Sequence, residues 1–149
     1  NSNAVFSWPT RIGSFSYNGV CRLASISLLI RKDILCLDLG FWDTVRFGAD
    51  SEMIARARDL LGDQLVTLET LTMLCLDGER GLTSDEQHGI LAGAGLSPTR
   101  ASYRDSWLEW HKKTSPEDRF LPFPHHGEDR SFEAPEAMRV SDEAVDAQR

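Results

Sequence analysis

The chain has 149 residues, 41% hydrophobic and 26% charged, an ordinary globular make-up with enough chain for one domain and a real core but hardly for two. Its 23 acidic residues against 16 Lys and Arg give a net charge of −7, so no broad basic surface exists to neutralise a nucleic-acid backbone, and nucleic acid is not an expected partner. The longest apolar runs, 26–30 and 71–76, fall far short of the roughly 20 residues that span a bilayer, so no membrane span is expected.

Ser2-Asn3-Ala4 resembles the scar of tag removal, so residues 1–4 are set apart and the natural protein is expected to extend upstream of Val5, making this a fragment. Residues 5–20 carry Trp8-Pro9, Gly13 and Asn18-Gly19 among scattered aromatics and read as a turn-rich entry with one short strand at most. Val20 to Ile30, rich in Ile, Leu, Val and Ser, predicts a buried strand. Arg31 to Leu39 predicts a short helix stopped by Gly40.

After an aromatic, glycine-containing loop, Met53, Ile54, Ala57, Leu60 and Leu61 fall on one face of an amphipathic helix that closes at Gly62. Leu65 to Leu76 predicts a strand ending at a turn on Asp77-Gly78. Thr83-Ser84-Asp85-Glu86 starts a helix through Leu91, and Pro98 opens another whose Tyr103, Trp107 and Trp110 share a side. Residues 5–114 thus form one domain. Residues 115–149 are acidic, contain prolines 122, 124 and 135, and read as a tail, a linker, or a strap laid over that domain.

Cys21, Cys36 and Cys75 are odd in number, widely spaced and set among apolar residues, which suits reduced thiols and a cytoplasmic setting better than disulfides or zinc. The sequence holds no Gly-x-Ser-x-Gly, His-Glu-x-x-His or Cys-x-x-Cys, so serine-hydrolase, zincin and thiol-redox readings have no foothold.

The stretch most suited to chemistry is Gly40-Phe41-Trp42-Asp43-Thr44-Val45-Arg46-Phe47-Gly48-Ala49-Asp50-Ser51-Glu52, which runs straight into the amphipathic helix. An acid at the mouth of a helix beside aromatics is held still without being fully buried. Ala24 to Arg31, Leu39 to Asp43, and Phe47 to Glu52 with Arg56 together resemble the later half of family 2 glycosyltransferases of the GT-A fold, over about residues 17–76. The resemblance implies an α/β fold class: a partial GT-A-like unit, a mixed sheet with flanking helices, a helical C-terminal part and an irregular acidic tail.

By the same resemblance, Asp50 falls where these enzymes place the general base that takes the acceptor hydroxyl's proton during inverting transfer from a nucleotide-sugar. The plainer account of Asp50 is a helix cap. Ala49 departs from the family pattern, which often has a second acid there. Trp42, Phe47, Glu52 and Arg80 are the candidate substrate-binding residues, although Glu52 and Arg56 equally suit an exposed i,i+4 ion pair and Arg80 a solvated turn. Asp43 is expected to hold its turn by side-chain to backbone bonds.

Such transfer requires a nucleotide site and a divalent cation, Mg or Mn, usually on an Asp-x-Asp element; the sequence contains none, so the donor side is expected outside this chain and the chain alone is expected to be inactive. His111 is a weak metal candidate and suits an aromatic seam beside Trp107 better, while His125-His126 lacks the fixed spacing of a preformed metal site. Tyr103, Trp107 and Trp110 suit a core stripe, a sugar platform or, if exposed, a homo-oligomer contact. The competing expectation is a non-catalytic protein-interaction domain, in which Asp50 only caps a helix.

Overall fold

A computed structural model of the chain describes residues 2–8, 11–17, 28–66, 90–91 and 95–147. Strands β1 (Ser2–Trp8) and β2 (Arg11–Tyr17) pair antiparallel from Ser2 opposite Tyr17 to Trp8 opposite Arg11. Helix α1 runs over Ala49–Leu61, strands β3 (Ile90–Leu91) and β4 (Gly95–Leu96) pair antiparallel, helix α2 runs over Pro98–Lys113, and a short helix α3 covers Asp142–Asp146.

The expected mixed α/β sheet is overturned. Among the described residues, strands occur only as these two antiparallel pairs, and the body around the motif is helices joined by irregular chain. The strands expected over 20–30 and 65–76 fall mostly outside the described residues, and their described ends, 28–30 and 65–66, are not strand. Short apolar runs carry no period that separates strand from other buried chain, and β propensity yields to context. Leu28 and Ile30 pack on the core as irregular chain while Leu29 between them is 99% exposed. The helix expected to start at Thr83-Ser84-Asp85-Glu86 and run through Leu91 is likewise corrected at its described end, where Ile90 and Leu91 pair as a strand with Gly95 and Leu96.

The helix expected before Gly40 forms as a π-helical turn over Ile34–Leu39. Gly40 ends it with φ +77°, and a Cβ there would stand 2.2 Å from the Leu121 carbonyl oxygen, so this crossing demands glycine. α1 forms where the apolar period predicts it, ends at Gly62, and buries Met53, Ile54 and Ala57. Leu39, Met53 and Ala57 make one small core, with Leu28, Ile34, Leu35 and Trp42 partly buried around it.

α2 begins as its sequence directs: Pro98 occupies the first turn and the Ser97 hydroxyl accepts a hydrogen bond from the Arg100 amide at 3.4 Å. Its buried face is Tyr103, Trp107 and His111, four residues apart in succession. That face meets Leu121, Phe132, Ala134 and Met138 in the larger core. Four of the six buried residues of this core therefore come from beyond residue 114. They form a strap of single turns at Pro116–Asp118, Gly127–Asp129 and Glu136–Met138 that ends in α3.

The strap crosses the motif loop in two places. The Phe41 amide donates to the Leu121 carbonyl at 2.8 Å, and the Arg46 amide donates to the Met138 carbonyl at 2.8 Å. Its acids face outward, whereas Leu121, His125, Phe132, Ala134, Met138 and Val145 turn inward. No helix among the described residues is long and apolar enough to cross a membrane.

Candidate active site

The motif loop and the first turns of α1 hold three acids with three different surroundings. Asp43 is 4% exposed. One of its oxygens accepts from His125 Nδ1 at 2.8 Å; the other accepts from the Tyr103 hydroxyl at 2.7 Å and from Arg130 at 2.6 Å. Burial pushes the Asp43 carboxyl up, but hydrogen bonds from His125, Arg130 and Tyr103 and the Arg130 charge outweigh it and hold it below the usual range. Burial, joined by the Asp43 charge and hydrogen bond, drives the Tyr103 hydroxyl far above its ordinary value, so it remains a donor.

The Ser131 amide donates to His125 Nε2 at 2.7 Å, so the ring proton sits on Nδ1 and points at Asp43. With both nitrogens engaged, His125 cannot serve as a base toward a nucleophile, and this aspartate–histidine pair is a staple between loop and strap. Arg130 completes it by donating to the His125 carbonyl at 2.7 Å as well as to Asp43. The expected role of Asp43 in holding the loop is filled by side-chain partners brought from α2 and the strap.

Glu52 is wholly buried. It accepts from Arg56 Nε at 2.9 Å, from the same guanidinium's terminal nitrogen at 3.1 Å, and from His111 Nε2 at 3.1 Å. Arg56, 1% exposed, also donates to the Leu39 carbonyl and, at 2.7 Å, to that of Phe41. Every strong donor and acceptor in the cluster is satisfied, which is the condition for keeping a charge pair inside a core. Glu52 is thus a structural residue beneath the loop and is closed to substrate.

His111 lies against Trp107 and Trp110, with ring centroids 5.1 and 5.2 Å away, and is 7% exposed. Its two ring nitrogens face acids, Nε2 at 3.1 Å from Glu52 and Nδ1 at 3.6 Å from Asp59. Among the described residues no group of three or more His, Cys, Asp or Glu side chains is gathered as metal ligands. Arg80 lies outside the described residues.

Asp50 differs from both buried acids. The N-cap of α1 is Gly48, at φ +88°, and it makes no side-chain cap bond; Asp50 sits in the first helical turn behind it, exposed. The cap role considered for Asp50 thus falls to a glycine that has no side chain to give. Two residues along a helix is roughly 200°, so Asp50 faces outward because Glu52 faces inward. Among the described residues no hydrogen bond or salt bridge engages Asp50.

Beside it stands Arg100, from the first turn of α2. Its guanidinium lies 4.8 Å from the centre of the Phe47 ring, within 3.7 Å of where a Gly48 Cβ would be, and its charge is coupled to that of Asp50. Phe47 is half-buried, and so is Trp42, which packs against the Leu39 core. Sequence reasoning missed Arg100, Arg130 and the staple role of His125. Their partners in the motif loop and the first turn of α1 lie 50 or more residues away, and no local spacing signals them. Compared with protein-family models, curated proteins and solved structures, the chain finds no match in any of the three.

Proposed function

We propose that this chain is part of an inverting glycosyltransferase that moves a sugar from a nucleotide-sugar to an acceptor hydroxyl, with Asp50 as the general base. The observation that carries the reading is the division of labour along one short stretch: Asp43 and Glu52 are saturated inside the core, whereas Asp50 presents an exposed carboxylate that makes no hydrogen bond among the described residues, with the Arg100 charge beside it. In the step proposed, the acceptor O–H gives its proton to Asp50. The oxygen's electron pair forms the new bond at the anomeric carbon, and the old bond's pair leaves with the nucleoside diphosphate.

Donor binding and the divalent cation, Mg or Mn, belong in this reading to parts of a longer protein, and the described acids here are not arranged for either. A reducing, cytoplasmic setting accords with Cys36, which is a free thiol. The test is transfer by the natural protein that carries this sequence, assayed with a panel of nucleotide-sugars and with anomeric configuration read by NMR. Inverted product that vanishes in Asp50→Asn supports the reading; retained configuration or an active Asp50→Asn protein overturns it.

One observation favours the second reading, a non-catalytic interaction domain: Leu29, Leu37 and Val66 are 99, 76 and 72% exposed. The aromatic stripe is not its surface, because Tyr103 and Trp107 are buried under the strap. Concentration-dependent association that Leu29→Ser and Leu37→Ser abolish, in a protein with no transferase activity, decides for that reading.

A further inference from the structure

Asp50 and Arg100 come from the first turns of two different helices, α1 and α2. Arg100 is held at both ends: its amide donates to the Ser97 hydroxyl at 3.4 Å, and its guanidinium lies over the Phe47 ring, 4.8 Å from the centroid. One guanidinium nitrogen is 3.7 Å from where a Gly48 Cβ would stand, so the charge sits against the N-cap of α1, two residues before Asp50.

This is a costly place for a cation. The first turn of a helix is its positive end, and α2 carries no acid there to offset Arg100. Burial pushes the guanidinium's pKa down, and the Asp50 charge pulls it back up. Yet no hydrogen bond or salt bridge joins the two side chains, and Arg100 rests on the Phe47 ring instead of on the carboxylate. Departures from local preference of this kind gather at functional positions.

An acid and a guanidinium that are neighbours without touching suit a group that donates to one and accepts from the other. A hydroxyl does both: its proton points to the carboxylate, one lone pair accepts an N–H, and the second lone pair stays open. A phosphate or carboxylate would meet the guanidinium but be repelled by Asp50, and an ammonium the reverse. We infer that Arg100 is an acceptor-binding residue of the transfer, holding the acceptor oxygen by an N–H while Asp50 takes its proton. The inference rests on the glycosyltransferase reading and adds the contact that fixes the direction of attack. In that step the O–H proton passes to Asp50, and the lone pair not held by Arg100 forms the bond to the anomeric carbon. The old bond's pair leaves with the nucleoside diphosphate, and Arg100 stays protonated throughout.

The test is steady-state transfer by the natural protein that carries this sequence, as wild type, Arg100→Lys, Arg100→Gln and Arg100→Ala, with melting temperatures alongside. Arg100→Ala is expected to lower kcat/KM for the acceptor about 100-fold while KM for the nucleotide-sugar stays at its wild-type value. Arg100→Lys, which keeps the charge and loses the planar fork, is expected to recover about tenfold of that loss. Free guanidinium, far below the concentrations that unfold proteins, is expected to restore part of the Arg100→Ala rate and to leave Arg100→Gln, whose side chain fills the space, unchanged.

A merely structural Arg100 gives a fall in rate that tracks melting temperature and does not respond to guanidinium, and that result overturns the inference. So does a wild-type kcat/KM in Arg100→Ala: with Asp50→Asn dead, it removes Arg100 from the site and leaves the base assignment standing. If the wild-type protein transfers with retention, or Asp50→Asn still transfers, the glycosyltransferase reading falls and takes this inference with it.

Discussion

The motif loop and the first turn of α1 are adjacent in sequence and opposite in construction. Around Asp43 the loop is closed from every side: Tyr103 comes from α2, and His125 and Arg130 come from the strap. Around Asp50 the helix end is open, with Gly48 as its cap and Phe47 and Arg100 alongside. Acids sharing one motif thus divide into those that build and those that remain available. Distant parts of the chain decide which is which.

The contrast breaks most completely if the strap is removed. Ending the chain after residue 114 deletes Leu121, His125, Phe132, Ala134, Met138 and Val145 from the interior, and loss of cooperative unfolding in a urea titration is the expected result. A truncated chain that melts as the full one does would make the strap an appendage.

Next in size is Arg56→Ala. It leaves Glu52 charged and buried and uncaps the Leu39 and Phe41 carbonyls, for an expected loss of about 3–5 kcal/mol by denaturant unfolding. A cost under about 1 kcal/mol would mean that the pair is solvated, as exposed pairs are.

Asp43→Asn is expected to cost somewhat less, about 2–4 kcal/mol, because the amide still accepts from Tyr103 or Arg130 while its NH2 faces the His125 proton. This carboxyl also gives a pH signature. Its folded value is depressed below 3.8, so its contribution is present above that pH and is lost as pH falls through the folded value. The wild-type chain should therefore lose stability steeply below about pH 4, and Asp43→Asn should flatten that slope. Ser97→Ala removes the α2 cap bond and is expected to cost about 1 kcal/mol, seen as a small drop in melting temperature.

How far the sequence carried this picture varies by element. α1 was legible because Met53, Ile54 and Ala57 recur at helical spacing before Gly62, and α2 because Pro98 and the Tyr103 and Trp107 spacing mark its start and its face. The mixed sheet was not there to be read among the described residues: a short run of Leu, Ile and Ser has no period that commits it to a strand. The strap was opaque for another reason. It contributes Leu121, His125, Phe132 and Met138 one at a time from irregular turns, and such isolated burial leaves no pattern.

In the site, Glu52 and Arg56 at i,i+4 read the same whether exposed or buried; only the neighbours Leu39, Phe41 and His111 reveal which. Asp50 was legible as an acid at a helix mouth. That Gly48 relieves it of the cap was legible only from backbone geometry.

Whether Asp50 is the base is decided by the transfer rate of Asp50→Asn in the natural protein, taken together with its melting temperature. An exposed carboxylate with no hydrogen bond to lose among the described residues predicts an unchanged melting temperature and a rate lower by about 10² to 10⁴, the contribution of a general base. An unchanged rate, or a fall in rate matched by a fall in stability, would contradict the account.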